Sequence, residues 1–392
     1  MSKIIGSLLA VLIPALIPAL MPVLMPNLTL DPLTAEEPDA ARLELARTEA
    51  IRWGIQYLRN AQGEDGLFSP DTGIGPTIIV LMGLLRCDVP VDDPIVVRGL
   101  DAILSSVADD GGIYSSRGRI PAYESSLAIS CLKLAIDRGA DPRYAQPLEK
   151  AEAFIRSLQY GENTNTSVDD VYYGGVGYGA DSRPDLSCTQ YFIDALRDLG
   201  AGADDEAMRR ALVFVSRCQN YDSGEPGAGD SVSGNNASKG DDGGFIYTCV
   251  GDGQSPAGET EEGLRSYGSI TYAGLKSLIY AGLTADDPRV QAASGWIREN
   301  YTLDENPGLG RRGLYYYYHT MAKTLNALEL TTFTDAAGKE HPWRQELVEK
   351  LLDAQRPNGS WVNDNRMWME TDPVLVTGYA LIVLSFCRLE EQ

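Results

Sequence analysis

The sequence predicts an all-α fold in which about six helix pairs close into a two-ring α/α toroid. Three observations predict it. The stretch Gln355-Arg-Pro-Asn-Gly-Ser-Trp361 lies between two helical runs, and weaker copies of it recur along the chain. The copies are spaced very roughly 50 to 60 residues apart, a period that implies stacked supersecondary units. Within each unit the first helix is charged on one side, as in Arg209-Arg-Ala-Leu-Val-Phe214. The second is small-residue-rich and nearly uncharged, as in Ser269-Ile-Thr-Tyr-Ala-Gly-Leu-Lys-Ser-Leu278. A helix that is apolar on most sides must be buried. An outer solvated ring around an inner apolar ring satisfies both helix types, and an open solenoid is the competing arrangement.

Taken in order, the chain opens with Met1-Ser-Lys3 and an apolar run from Ile4 to Met25. One basic residue before an uncharged stretch reads as an export signal or a retained membrane anchor. Pro14, Pro18, Pro22 and Pro26 would break a regular helix on one face. Residues 1–38 are therefore set apart as a signal segment or anchor, and 39–392 is the repeat domain.

The first unit pairs Ala41–Ala61 with Pro76–Arg86 across Gln62-Gly-Glu-Asp-Gly-Leu-Phe68. The second pairs Pro94–Val107 with Ala122–Asp137 across Gly111-Gly-Ile-Tyr114. The third pairs Tyr144–Leu158 with Leu186–Leu199 across Gln159 and a loop holding Gly174-Gly-Val-Gly-Tyr178. The fourth pairs Asp205–Cys218 with Ser269–Ala281 across Gln219 and Gly243-Gly-Phe-Ile-Tyr247. The fifth pairs Pro288–Asn300 with Tyr317–Leu328, with Gly313-Leu-Tyr315 placed in the loop. The sixth pairs Arg344–Ala354 with Val374–Leu389. A Gln at a helix end can hydrogen-bond loop backbone, and a Gly lets the chain turn where a Cβ would clash. The loop from 221 to 266 is the exception: it is rich in Gly, Ser, Asp and Asn and carries a sequon at Asn236.

The 392 residues are 44% hydrophobic, enough for one large core, and the formal charge is −22. That charge argues against a nucleic-acid partner and against direct adsorption to anionic lipid. Six Cys are too few for a disulfide scaffold. In an exported chain Cys218 and Cys249 are the best candidate pair, while Cys87, Cys131, Cys188 and Cys387 read as buried packing thiols.

At this point the residues resemble a known family. Gln355-x-x-x-Gly359-Ser-Trp361 looks like the QW repeat of squalene and hopene cyclases, and the helix, Gln, Gly-aromatic, helix unit is similar to protein prenyltransferase β-subunits. Gly174-Gly-Val-Gly-Tyr-Gly179, Pro184-Asp-Leu-Ser-Cys-Thr-Gln190 and Arg265-Ser-Tyr-Gly-Ser-Ile-Thr-Tyr-Ala-Gly-Leu-Lys276 look like exported bacterial proteins with prenyltransferase/squalene-oxidase repeats. The resemblance spans about Ala41 to Leu389 and implies a toroid with a central cavity for an isoprenoid.

Its catalytic motifs carry over only in part. Type II cyclases protonate an alkene or epoxide from Asp-x-Asp-Asp-Thr. Thr271 matches the Thr, but Tyr267, Gly268, Ser269 and Ile270 stand where the acids should be. The other near match, Val168-Asp169-Asp170, lacks the first Asp and lies in a Gly/Tyr-rich loop, where a solvated pair is the default reading and a catalytic acid the sharper one. Tyr318-His319-Thr320 resembles the His end of the prenyltransferase zinc site, but its partner positions fall at Tyr267 and Ser269, so no metal is expected. No cofactor is implied.

Glu124, Asp185 and Asp372 stand at inner-helix starts, where a carboxylate caps a helix. A toroid points these ends at one mouth, so the same acids, with His319, are candidates for acid–base work. Tyr267, Tyr272, Tyr315, Tyr316, Tyr317, Tyr318 and Tyr379 are the candidate cavity lining. Arg311-Arg312 could receive a diphosphate or be a solvated pair. The leading expectation is an exported toroid that binds or processes a polyisoprenoid or similar lipid. The alternatives are a carbohydrate-active (α/α) barrel with paired carboxylates, and a non-catalytic scaffold for a protein partner.

Overall fold

The computed structural model describes residues 39–117, 120–222 and 240–389. The expected export segment and the sequon at Asn236 lie outside these. Among the described residues, outer helices α1 (Asp39–Ala61), α3 (Pro94–Leu104), α5 (Leu148–Ser157), α7 (Glu206–Arg217), α9 (Pro288–Glu299) and α11 (Trp343–Ala354) alternate with inner ones. The inner helices are α2 (Gly75–Arg86), α4 (Pro121–Asp137), α6 (Leu186–Asp198), α8 (Gly268–Tyr280), α10 (Leu314–Ala327) and α12 (Pro373–Phe386). Each inner helix packs on the inner helices before and after it, and α12 packs on α2. The inner ring therefore closes, and the fold is an α/α toroid rather than an open solenoid. None of the described helices is long and apolar enough to cross a membrane.

The helices begin where the sequence supplies a cap. Asp93, Asp185, Asp205, Asp287 and Asp372 each accept a backbone N–H of the helix they precede. Proline occupies the first turn of α2, α3, α4, α9 and α12, where its missing N–H costs nothing. The inner helices are buried on almost every side; in α2 only Arg86 is not fully buried.

Four of the six joints between successive units are held by one repeated hydrogen-bond pattern. The amide of Gln62 donates to Gly66 O in its own loop at 3.0 Å and to Ile95 O at the start of the next outer helix at 2.9 Å. Gln159 makes the same pair with Gly174 O and Ala207 O, and Gln219 with Gly243 O and Arg289 O. Gln355 donates to Gly359 O and reaches back to Ala50 O of α1, which ties the last unit to the first. The loop glycine is required twice over at these points. Gly174 has φ +82, and a Cβ there would lie 1.8 Å from Arg210 O. Gly359 has φ +87, with Trp53 O at 2.5 Å. A second tie follows each turn: the backbone N–H of Phe68, Ile113, Val176, Phe245 or Trp361 donates to a hydroxyl of its inner helix. Thr271 is the acceptor for Phe245, which gives it a structural part.

The structure departs from expectation in a few places. The Gly313-Leu-Tyr315 stretch does not lie in the loop: Gly313 starts α10 and Leu314 and Tyr315 form its first turn. The position takes a glycine because its φ is +63 and the Trp368 ring packs where a Cβ would be, at 2.1 Å. The fifth loop turns instead at Asn306–Gly310. Helix α5 starts at Leu148 rather than Tyr144, because Pro142 opens a separate short turn and Pro147 precedes the helix. Two short hairpins, Glu259–Leu264 and Phe333–His341, were not signalled by any alternation in the sequence. Cys218 and Cys249 are brought together as thiols, with Cys218 pushed well above the usual thiol range by burial and by its neighbour.

The close approach at the loop glycines separates two substitutions that look alike in sequence. Gly200 also has a positive φ, but nothing lies within 4 Å of an added Cβ. Gly200→Ala should lower the unfolding free energy by about 1 kcal/mol, the strain of the backbone alone. Gly174→Ala should cost at least about 2 kcal/mol more, because the Arg210 carbonyl must also move. Urea unfolding of both variants checks this; equal losses would remove the clamp from the account.

Candidate functional site

The starts of the inner helices converge on one end of the ring and surround a cavity of about 870 Å³. Pro76 and Ile79 of α2, Tyr123 of α4, Tyr191 of α6, Ile270 of α8, Tyr316 of α10, and Leu375 and Tyr379 of α12 line its depth. Tyr178, Tyr247, Pro256, Leu264 and the Met367-Trp-Met369 turn line its mouth. That turn is exposed and strained, with Trp368 41% exposed at φ 51 and Met369 at φ 62.

Of the seven tyrosines expected to line the cavity, Tyr267, Tyr316 and Tyr379 do so. Tyr272, Tyr315, Tyr317 and Tyr318 do not. A helix turns about 100° per residue, so four consecutive tyrosines sweep round it and one faces the axis. Tyr317 donates to Thr302 O and Tyr318 to Leu303 O, both in the outer loop. Tyr272 packs edge-on against Tyr317, and Tyr315 against Tyr318. Tyr123, Tyr178, Tyr191 and Tyr247 complete the aromatic wall.

The candidate acids are placed as helix and loop anchors. Glu124 is fully buried and accepts from Ile74 N, Gly75 N and Ser115 N at 2.8 to 3.1 Å, capping the neighbouring helix α2. Asp185 caps Cys188 N at 2.8 Å, and Asp372 caps Val374 N and accepts from Ser69. Asp169 and Asp170 lie exposed on a loop, and Asp170 accepts from Tyr172 N. None of these carboxylates lines the cavity; among the described residues the acid in its lining is Glu259, on the exposed hairpin. Arg311 pairs with Asp364 and Arg312 donates to Leu309 O and Pro256 O, and neither lines the cavity. No cluster of three metal-ligating side chains stands among the described residues.

Burial sets the protonation of these groups. It raises Asp185 to about 6, partly offset by hydrogen bonds from Cys188 and Tyr247. It pushes the Tyr123 phenol to about 12 and raises Tyr316 and Tyr379 well above the usual phenol range, so these cavity phenols remain protonated. His319 is buried against the Tyr379 ring, 5.5 Å between centroids. Burial, with Lys323 and Lys276 nearby, holds it well below the usual His range, so it is neutral.

Sequence reasoning missed the charged group beneath the cavity floor. Lys276 of α8 donates to Asp194 of α6 at 2.6 Å and Lys323 of α10 to the same carboxylate at 2.7 Å. Burial alone would raise Asp194, but the two ammonium groups outweigh it and hold the carboxyl below the usual range. Burial lowers Lys276 to about 8. Glu370, fully buried, accepts from Tyr316 N and Asn363 and caps α10. The available signal was a charge inside a helix otherwise read as buried, since such charges are paired.

No family model and no curated protein matches the sequence. Solved structures do. A variant of the type II terpene cyclase MstE from Scytonema, holding its product merosterolic acid A, is 13% identical with a TM-score of 0.54, covering 88% of this chain and 98% of its own. A GH76 α-mannanase from Bacteroides thetaiotaomicron is 10% identical with a TM-score of 0.55, covering 87% and 95%. An α-amylase from Clostridium perfringens is 10% identical with a TM-score of 0.53, covering 88% and 98%. At these identities the likeness is one of fold. The class defined is the α/α toroid, which these cyclases and glycosidases share.

Two outcomes follow from the buried charges. Asp185 titrates higher in the fold than in the unfolded chain, so the fold binds the extra proton between about pH 4 and 6. Its contribution is present at low pH and lost as pH rises through about 6. Asp185→Asn, which keeps the cap, should flatten the gain in unfolding free energy between pH 7 and pH 5 by about 1–2 kcal/mol. Asp194→Ala should lower stability by about 3 kcal/mol or more, because two buried ammonium groups lose their counter-ion. Denaturant unfolding across pH tests both.

Proposed function

We propose that the protein binds an uncharged, apolar chain of isoprenoid type in the central cavity, and that any chemistry it performs is done on such a chain. The observation that carries this is the lining: seven tyrosine rings and a set of aliphatic side chains. Ring faces and aliphatic side chains suit an unsaturated chain, and apolar pockets of this size hold ligands of that class. Among the described residues the lining holds no Lys or Arg. The MstE structures with merosterolic acid A and with geranylgeranyl dihydroxybenzoate support the reading by analogy of fold. The acid positions of a cyclase are taken by Tyr267, Gly268, Ser269 and Ile270, so binding without alkene protonation is the better supported activity.

A carbohydrate reading is favoured by the comparable likeness to the mannanase and the amylase, and by the aromatic mouth. It needs two carboxylates about 5 to 10 Å apart across an open groove. Glu259 is the single carboxylate in the lining of this cavity among the described residues.

Native mass spectrometry after incubation with squalene, beside mannan and starch oligosaccharides, tests the two. Retention of squalene, weakened at least about tenfold by Leu264→Trp at the cavity mouth, is the expected result. No shift with squalene and none with the alcohol geranylgeraniol, or a shift with an oligosaccharide alone, would sink the isoprenoid reading.

A further inference from the structure

The cavity floor carries one polar group whose proton is directed by the residues behind it. Tyr316 is the member of the four-tyrosine run that faces the cavity and is half-buried, while its three neighbours are buried. Behind its phenol stands Gln190, 1% exposed, with its Nε2 at 3.3 Å from the Tyr316 oxygen. Behind Gln190 stands Lys276, 2% exposed, with its ammonium at 2.6 Å from Gln190 Oε1. An ammonium can only donate, so the amide must turn its oxygen to Lys276 and its NH₂ to Tyr316. Asp194 holds Lys276 in the charged form and in place, and Lys323 completes the pair. The direction of every bond in this chain is thereby set from the buried charge outward.

The consequence falls on Tyr316. Its oxygen accepts from Gln190, so its own O–H donates, and the Ser187 hydroxyl on the cavity wall is within hydrogen-bond reach of it. A hydrogen bond accepted from a chain that starts at a cation also makes the phenol a better donor. The geometry points to Tyr316 as the polar anchor of the cavity. It donates to a single uncharged oxygen, a hydroxyl or carbonyl, carried by an otherwise apolar ligand, with Gln190 and Lys276 as its positioning residues. This rests on the isoprenoid reading above and adds to it the ligand class: an oxygen-bearing isoprenoid rather than a plain hydrocarbon. A hydrocarbon would leave the directed O–H to the Ser187 hydroxyl, whereas a ligand oxygen competes for it in a site largely out of water.

The test compares two ligands that differ by that oxygen alone: geranylgeraniol and the hydrocarbon of the same chain length that lacks its hydroxyl. Both are titrated by native mass spectrometry against the wild type, Tyr316→Phe and Gln190→Met. The wild type should prefer the alcohol. Tyr316→Phe should weaken the alcohol by about tenfold and leave the hydrocarbon unchanged. Gln190→Met should reduce the preference in the same sense, which a purely structural role for Gln190 would not do. Circular dichroism and the unfolding midpoint establish that each variant is folded. Equal weakening of both ligands, or no weakening of the alcohol, overturns the anchor while leaving the isoprenoid reading standing. Binding of neither ligand by the wild type overturns both.

Discussion

The amide of a glutamine that bridges two carbonyls is what the architecture depends on. A helix pair by itself cannot bury the apolar sides of its inner helix. It needs the next pair at a set distance and angle, and the Gln provides that by donating one N–H to its own loop and one to the next outer helix. Both donors of the NH₂ group are used and both acceptors are backbone; at Gln159 and Gln219 the site is also buried, so the bond is expensive to leave unmade. The glycine in the same loop lets the outer helix of the next unit approach until backbone meets backbone. Present at four of the six joints, the same bond joins inner-helix packing in turning a row of units into a ring, and the contacts from Gln355 to Ala50 and from α12 to α2 close it.

Closure has a chemical cost that the inner helices answer in two ways. Six helix starts brought to one mouth leave many backbone N–H groups facing a region largely out of water. Carboxylates and an amide satisfy them: Glu124 caps α2, Glu370 caps α10, and Asn306 caps Ser269 at the start of α8. These acids have the positions of catalytic residues and the bonding of structural ones. Deeper in the ring, Lys276, Lys323 and Asp194 form a paired buried cluster rather than isolated charges, the form in which charge survives burial. Between the mouth and that cluster the tyrosine rings leave a hollow instead of a plugged core.

The candidate site was legible only in outline. The abundance of tyrosine near inner-helix starts announced an aromatic lining, yet Tyr317 and Tyr318 turn to the outer loop, Tyr272 and Tyr315 pack against them, and Tyr123 and Tyr191 turn inward. Consecutive residues on a helix differ by about 100° in direction, and a run of identical residues carries no information about phase. Phase is decided by which neighbour claims each hydroxyl, here the carbonyls of Thr302 and Leu303. Gln190 gave no local signal at all, because its importance comes from Lys276, which is 86 residues away in sequence.

What the sequence determined by itself is the repeat: helix pairs, their order, and which member of each pair is buried. Those features are written in local periodicity, in caps and turns, and in a charge pattern that a single unit already displays. The tertiary structure alone decided that α12 meets α2, that the acids at the helix starts are spent on backbone N–H groups, and that Tyr316 is the phenol directed into the hollow. Each of these depends on a partner from another unit, and the identity of that partner exists only once the ring has closed.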